Sequence, residues 1–186
     1  MTPIVTRIAL PGDPDKSQAR YIEAAVNGGA GRLPLSAQRQ SGPGSEVRLQ
    51  AGLVRAFTAH AQSLLATGAP VVLAGDYNVV PSEADIYPNH SYAGNALLRP
   101  ESRVAFARLL DQGWTDALRA VQPEGPLWTF WSYLRFRCPK DKGLRLDHLP
   151  LSPDLAERLI DAGVDRWARG LEGASDRAPA WVALER

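Results

Sequence analysis

Two side chains that can bind a metal ion stand two positions apart at the end of the stretch from Val71 to Asn78, which reads Val-Val-Leu-Ala-Gly-Asp-Tyr-Asn. Its apolar start predicts a short buried strand over 71–74, and Gly75 permits a tight turn after it. Because alternate residues of an extended chain share one side, Asp76 and Asn78 can face the same cleft. Carboxylate and amide oxygens suit a hard cation such as Mg²⁺. The structural alternative is an Asx turn that ends a core strand.

Helices and strands must position these two side chains, and the periodicity of the sequence predicts both. Apolar residues at helical spacing predict a helix from Phe57 that ends near Gly68, with His60 on its apolar face as a satisfied core histidine. Further helices are predicted over 101–112 and 153–162, strands over 21–26, 128–133, 144–149 and 181–184, and a long loop over 79–100. This mixed order predicts an α/β or α+β fold in a single domain over 1–186.

The composition excludes several classes of protein. The 186 residues are 45% apolar and carry a net charge of +1, so contact with a polyanion has to come from a local patch. The single cysteine, Cys138, excludes an internal disulfide framework and fits a reducing compartment. The sequence shows no signal peptide and no apolar run long enough to span a bilayer. We therefore expect a cytoplasmic protein without a membrane partner.

Residues 29–56 differ in character from the rest of the chain. They are rich in Ser, Gln, Arg, Pro and Gly, and no strand or helix period holds before about Leu49. Segments of this kind do not bury enough apolar surface to fix a conformation. The sequence therefore predicts an irregular segment over 29–56.

Four short motifs follow one another along the chain. They are Gly-Asp-Tyr-Asn at 75–78, Trp-Thr-Phe-Trp at 128–131, Gly-Leu-Arg-Leu-Asp-His at 143–148 and Ser-Asp-Arg-Ala-Pro at 175–179. In this order they resemble the exodeoxyribonuclease III branch of the endonuclease/exonuclease/phosphatase superfamily. The resemblance implies a four-layer α/β sandwich, of which this chain would form a part. It also implies hydrolysis of DNA phosphodiesters, at 3′ ends and at abasic sites, with Mg²⁺ or Mn²⁺.

The resemblance implies a role for each acidic or amide side chain of these motifs. Asp76 resembles the carboxylate that activates the attacking water, and Asn78 resembles the amide that orients the phosphate. Asp147 resembles a second acid held near the metal or the catalytic histidine, and Asp176 resembles the acid of a Ser-Asp-His motif. Asp76, Asn78 and Asp176 are the implied metal ligands. A phosphodiester is anionic, so its hydrolysis needs a cation on its oxygens and a base for water.

The same resemblance implies a DNA-binding surface. Trp128 and Trp131, with Arg135 nearby and Arg177 at the site, resemble the part that packs on the sugar and the flanking backbone. Aromatic rings commonly hold nucleic acid by stacking. Core packing is the alternative for both tryptophans, since they are large apolar side chains. The implied partner is duplex DNA, bound by a monomer.

Departures from the family pattern predict an impaired or inactive enzyme. Arg177 stands where the family has histidine, and arginine cannot act as a base near neutral pH. His148 does not replace it, because it should face the opposite side of its strand from Asp147. We also expect the family's opening strands, with their asparagine and metal-binding glutamate, to have no counterpart in this sequence. Two alternatives remain: a non-catalytic DNA-binding remnant, and a phosphatase or phosphodiesterase of the same superfamily.

The family pattern also suggests an origin for residues 29–56. At this place the family carries a strand reading roughly Leu-Tyr-Leu-Pro-Asn-Gly-Asn-Pro, whose tyrosine is catalytic. With assumed codons for Pro-Asn-Gly-Asn-Pro, a reading frame that starts one base earlier gives Ala-Gln-Arg-Gln-Ser, the sequence of residues 37–41. We hypothesise that the segment is an out-of-frame reading between two compensating shifts. A natural variable loop is the alternative.

Overall fold

The computed structural model describes residues 3–13, 21–26, 45–90, 92, 94–133 and 137–185. The strands are β1 (Ile4–Arg7), β2 (Glu23–Ala25), β3 (Gly75–Asp76), β4 (Thr115–Asp116), β5 (Asp147–His148), β6 (Pro150–Leu151), β7 (Leu159–Val164) and β8 (Ala180–Leu184). The helices are α1 (Ser45–Leu65), α2 (Pro100–Leu110), α3 (Ala117–Val121), α4 (Pro153–Glu157) and α5 (Arg166–Arg169). Within these ranges no helix is both long enough and apolar enough to cross a membrane.

An antiparallel ladder between residues 71–77 and 146–152 lies at the centre of the fold. Val72 bridges Leu151 at one end of the ladder. In the middle, the Leu73 N–H donates to the Pro150 carbonyl over 2.8 Å, and β3 pairs with β5 further along. The stretches predicted as strands over 71–74 and 144–149 therefore both lie in this ladder, where residues 71–73 pair with 150–152 and residues 75–77 pair with 146–148.

The two faces of the 71–74 segment pack against different layers. Val71 and Leu73 are fully buried against α1 and α2, in a cluster that includes Leu64 and Phe106. Val72 and Ala74 face the other cluster, which α3, α4, β6 and β7 supply. Alternation of this kind is the signature of a strand between two layers. The layered α/β class predicted from the sequence is confirmed.

Both histidines beside this core have the structural roles that the sequence predicted. His148 is fully buried on the opposite side of the ladder from the Asp147 carboxylate, and its Nε2 lies 3.1 Å from the Val79 carbonyl oxygen. Burial lowers the pKa of His148 to about 4, so the ring is neutral at pH 7. The Nε2 of His60 lies 2.7 Å from Oε1 of the buried Glu23.

The irregular segment predicted over 29–56 is wrong for its second half, because α1 begins at Ser45. Glu, Arg, Leu, Gln and Ala dominate 45–56, and these residues all favour helix. Gly52 opposes the helix by only about 1 kcal/mol. Residues 29–44 lie outside the described part of the chain.

Several shorter elements also differ from the sequence-based expectation. The helix predicted over 153–162 ends at Glu157, where strand β7 takes over and pairs with β8. The 128–133 stretch forms only isolated bridges through Phe130, and the loop over 79–100 contains two 3₁₀ turns. Strand β1, which the sequence did not predict, pairs with β2, so the strand expected over 21–26 is confirmed.

Candidate active site

Four segments meet at the edge of the central ladder, and each carries one of the motifs found in the sequence. Asp76 on β3 and Asp147 on β5 are direct register partners. Beside β5, the Thr129 N–H donates to the Leu144 carbonyl over 2.9 Å. Beyond that segment, Phe130 bridges Arg177. Four distant stretches of sequence therefore come together in one place.

Thr129 fixes the position of Asp147 and was not recognised as a site residue from the sequence. Its side chain is fully buried, and its Oγ1 accepts the backbone N–H groups of Leu146 at 3.0 Å and Asp147 at 3.1 Å. Its carbonyl accepts the Ala178 N–H at 2.9 Å, which holds the 175–178 loop alongside. The only signal in the sequence was a threonine within an aromatic run.

Asp76 and Asn78 form the Asx turn that was the structural alternative. Asn78 adopts a left-handed backbone with φ 49°, and its N–H donates to Oδ1 of Asp76 over 2.8 Å. The Asn78 side-chain Nδ2 is buried and makes no hydrogen bond among the described residues. A buried, unpartnered amide donor beside a carboxylate can orient a phosphate oxygen. The Asx turn and a phosphate-orienting role are thus compatible.

Arg177 lies between the two carboxylates. Its Nη1 donates to Oδ2 of Asp147 over 2.9 Å, and its Nη2 pairs closely with Oδ2 of Asp76. The centre of the guanidinium lies 5.3 Å from the centroid of the Phe130 ring. The Arg177 backbone N–H lies 3.2 Å from Oγ of Ser175, its acceptor. The side chain is therefore held from three directions.

The electrostatics of the pair are dominated by its partial burial. Burial raises the pKa of Asp76 to about 6; the Arg177 guanidinium opposes that rise, and the Asp147 carboxylate adds to it. The Arg177 guanidinium therefore partly offsets the cost of burying the Asp76 charge beside that of Asp147.

The remaining residues implied by the resemblance lie around this pair with different degrees of access. The Trp131 ring is fully buried and packs in the core, while Trp128 is half-buried against the cluster around Leu144. The backbone carbonyl of Asp176 accepts the Trp131 N–H at 2.8 Å, and its carboxylate makes no hydrogen bond or ion pair with a described residue. Arg135 lies outside the described residues.

Gly143 allows the two tryptophans to approach the ladder. A Cβ at this position would lie 2.5 Å from the Cβ of Trp128 and 2.7 Å from Nε1 of Trp131. Only glycine leaves room for both rings. The glycine of the 143–148 motif is thus a packing requirement.

A buried ion network supports the ladder from below and was also missed in the sequence. Arg145 donates to Asp85 and to Asp116, each over 2.6 Å, and Arg119 donates to the same oxygen of Asp85 over 2.6 Å. Burial alone would raise the pKa of Asp85, but hydrogen bonds and charge from Arg145, with Arg119 and Ser82, lower it to about 2. Arg145 directly precedes Leu146 and Asp147, so this network anchors β5, the strand that carries Asp147.

The donor set fits a divalent cation poorly as it stands. One oxygen of Asp76 and one of Asp147 already accept from Arg177, and a metal ion there would contact a guanidinium of like charge. Throughout the described ranges, no group of three or more His, Cys, Asp or Glu side chains could hold a metal ion.

Comparison with known proteins identifies relatives. Exodeoxyribonuclease III of Haemophilus influenzae is 32% identical over 123 residues, covering 62% of this chain and 46% of that protein. The solved 3′-5′ exonuclease NExo from Neisseria meningitidis has a TM-score of 0.89 at 32% identity, covering 99% of this chain and 72% of that chain. The structure of the 3′ phosphatase NExo from Neisseria bound to product DNA hairpin has a TM-score of 0.83 at 30% identity, with the same coverage of 99% and 72%.

The match to the Haemophilus protein leaves more than half of that protein's length uncovered, since the chain spans 46% of it. The similarity to the solved neisserial enzyme confirms the expected fold type. The model of the Endonuclease/Exonuclease/phosphatase family matches residues 2–176, which is almost the whole chain. The chain therefore belongs to the Endonuclease/Exonuclease/phosphatase family.

Proposed function

We propose that this chain is an exodeoxyribonuclease III-type DNA-repair protein whose phosphodiester-hydrolysing site is strongly impaired. The carrying observation is the position of Arg177, which ion-pairs with both Asp76 and Asp147. A carboxylate held by a guanidinium is a poor base for water, and arginine itself cannot accept the proton. Loss of a general acid–base group costs about 10²–10⁴-fold in rate.

The roles we propose for the site residues follow the family resemblance. Asp76 would activate water, Asn78 would orient the scissile phosphate through its buried amide, and Asp147 would support the acid–base partner. Mg²⁺ or Mn²⁺, with Asp76, Asn78 and Asp176 as ligands, is the cofactor implied for an active site of this kind. In this chain Arg177 competes for the first of those ligands.

DNA is the ligand class we propose, since the relatives named above act on or bind DNA by name. Trp128, Arg135 and Arg177 are the proposed contacts, whereas the buried Trp131 supports the surface from within. We further propose that the protein is a monomer. A cytoplasmic location is proposed separately, because Cys138 is a free thiol without an internal disulfide partner in the sequence, which fits a reducing compartment.

A non-catalytic DNA-binding role is the second candidate, and the basic residues near the site favour it. The exposed Arg166 lies 5.9 Å from the Trp131 ring, and the buried Arg169 lies 4.8 Å from the exposed Tyr133 ring and supports it from within. Arg166 and the Tyr133 side chain are independent of the Asp76 carboxylate. Such a surface could hold a DNA backbone without turnover.

Binding measurements test the proposed ligand class. We expect fluorescence anisotropy to detect binding of a labelled abasic duplex, with affinity that falls steeply from 50 to 200 mM salt, as phosphate contacts require. Arg166→Ala should weaken binding, whereas Arg158→Ala, at the exposed end of α4, should not. Failure to bind any DNA, together with saturable binding of phosphorylated inositols or lipids, would reject DNA and favour a phosphatase or phosphodiesterase of the same superfamily.

A further inference from the structure

We propose that the Arg177 guanidinium is the resident cation of the Asp76–Asp147 pair and keeps a divalent metal from binding at Asp76. The proposal deepens the proposed function and rests on it for the identity of the site. Its consequence is specific: the chain as it stands excludes divalent metal from the carboxylate pair, and removal of the Arg177 side chain opens the pair to metal.

The geometry is that of one cation shared by two anions. The two terminal nitrogens of Arg177 contact two different carboxylates, Asp147 at 2.9 Å and Asp76 more closely. The three charges sum to −1, whereas the carboxylates alone would carry −2. A doubly charged pair of anions attracts a divalent cation far more strongly than a half-neutralised pair does.

Partial burial makes this arrangement more than a surface ion pair. The side chains of Asp76, Asp147 and Arg177 are 15%, 19% and 29% exposed. By contrast, the ion pair of Arg166 with Asp141 is 55% and 40% exposed. Screening by water and salt is weaker at the buried pair, so its Coulomb attraction is larger.

The Arg177 side chain is also pre-positioned, which raises its advantage over a dissolved ion. The centroid of the Phe130 ring lies 5.3 Å from the centre of the guanidinium, and the backbones of Phe130 and Arg177 pair in an isolated β-bridge. A tethered group acts at an effective concentration of about millimolar or more. A divalent metal ion at millimolar concentration would have to displace the guanidinium from Asp76 and would still be repelled by its positive charge nearby.

Binding of Mn²⁺, followed by the loss of its free paramagnetic resonance signal, tests the proposal without any activity measurement. The wild-type chain should show no saturable binding at this site below the millimolar range. Arg177→Ala and Arg177→Gln should each bind Mn²⁺ at least about tenfold more tightly, as removal of an adjacent like charge requires. Adding Asp76→Asn to either variant should abolish the gain.

Arg158→Ala is the matched control, since it removes an arginine from an exposed ion pair with Asp154, outside the carboxylate pair, and it should leave Mn²⁺ binding at the wild-type level. If Arg177→Ala does not fold by circular dichroism, Arg177→Gln decides, because it retains hydrogen-bonding capacity without charge. Equal Mn²⁺ affinity of wild type and the folded Arg177 variants would overturn the proposal. Because the readout is metal binding, its failure is separate from failure to bind DNA.

Discussion

At the level of single residues, the site depends on which cation faces the carboxylates of Asp76 and Asp147. Arg177 fills that position, forms an ion pair with each of them and lies over the Phe130 ring. Histidine in its place could accept and release a proton near neutral pH, which arginine cannot do. The residue type at position 177 therefore decides whether the side chain can exchange a proton or only form ion pairs.

Arg177→His alone should not restore efficient cleavage. The substitution frees Asp76 from the guanidinium, but nowhere in the described ranges do three or more His, Cys, Asp or Glu side chains form a metal site. Acid–base catalysis without the rest of the constellation gives little, because groups that act as a unit are not additive. Gel-based cleavage of abasic duplex DNA, with Mg²⁺ and with Mn²⁺, measures this. A gain of about 10²-fold or more, the effect of a complete acid–base group, would contradict it.

Thr129→Val should lower the free energy of unfolding by about 1–3 kcal/mol, because it leaves one buried and one partly buried N–H group without an acceptor. These are the backbone N–H groups of Leu146 and Asp147, at 3.0 and 3.1 Å from Oγ1. Urea denaturation followed by tryptophan fluorescence measures the change. Thr58→Val is the control, because Oγ1 of Thr58 donates only to the Val54 carbonyl of its own helix, and it should cost less than half as much.

At the level of elements, the site lies where backbone hydrogen bonds join the strand ladder to two loops. The segment that contains Thr129 lies between the Leu144–His148 stretch on one side and the loop that carries Arg177 on the other. Helices α1 and α2 cover one face of the ladder through Leu64 and Phe106. Small changes in this packing should therefore reach both carboxylates.

Gly143→Ala tests the packing of that segment. A new Cβ would come within 2.7 Å of both Trp128 and Trp131, so the rings or the strand must move. Overpacking of this kind typically costs about 1–3 kcal/mol. Gly170→Ala is the control, since its φ of −81° suits alanine and its Cβ would approach no atom closer than 3.4 Å. Equal stability of the two variants by thermal unfolding would show that the segment has room to spare.

At the level of the whole molecule, buried ionisable groups control how stability depends on pH. The pKa of His148 is lowered to about 4 and that of Asp76 is raised to about 6. Between pH 4 and 6 the unfolded chain binds the His148 proton while the folded chain binds the Asp76 proton, so their effects on stability oppose each other. Below pH 4 the lowered pKa of Asp85 makes the fold lose stability as pH falls toward 2.

Asp76→Asn should uncover the contribution of His148. Without the Asp76 titration, stability should fall by up to about 3 kcal/mol as pH decreases from 6.5 to 4, because only the unfolded state takes up the His148 proton. The wild-type chain should change much less over the same range. Urea midpoints at three pH values measure both slopes. Equal slopes would mean that Asp76 titrates at an ordinary pKa in the folded chain.

The sequence predicted the scaffold of the site better than its contacts. The apolar run from Val71 to Ala74 predicted a buried strand, and these residues do pack on both sides of the central ladder, although the assigned strand β3 lies one step further on, at Gly75–Asp76. The partners of Thr129 and Arg177 could not be read in the same way, because they depend on pairings between residues 17 to 101 positions apart. Helix α1 was missed over 45–56 because a weak apolar pattern concealed favourable helix propensity.

Digestion of a 5′-labelled duplex from its 3′ end by the wild-type chain, beside the neisserial 3′-5′ exonuclease at equal concentration and with saturating Mg²⁺, decides whether the site is impaired. In the proposed mechanism Asp76 is both the base and a metal ligand, and its ion pair with Arg177 competes with both roles. We therefore expect a rate at least about 10²-fold lower than that of the relative. A rate within about tenfold of the relative would contradict this account of Arg177, because the loss of a general acid–base group alone costs more than that.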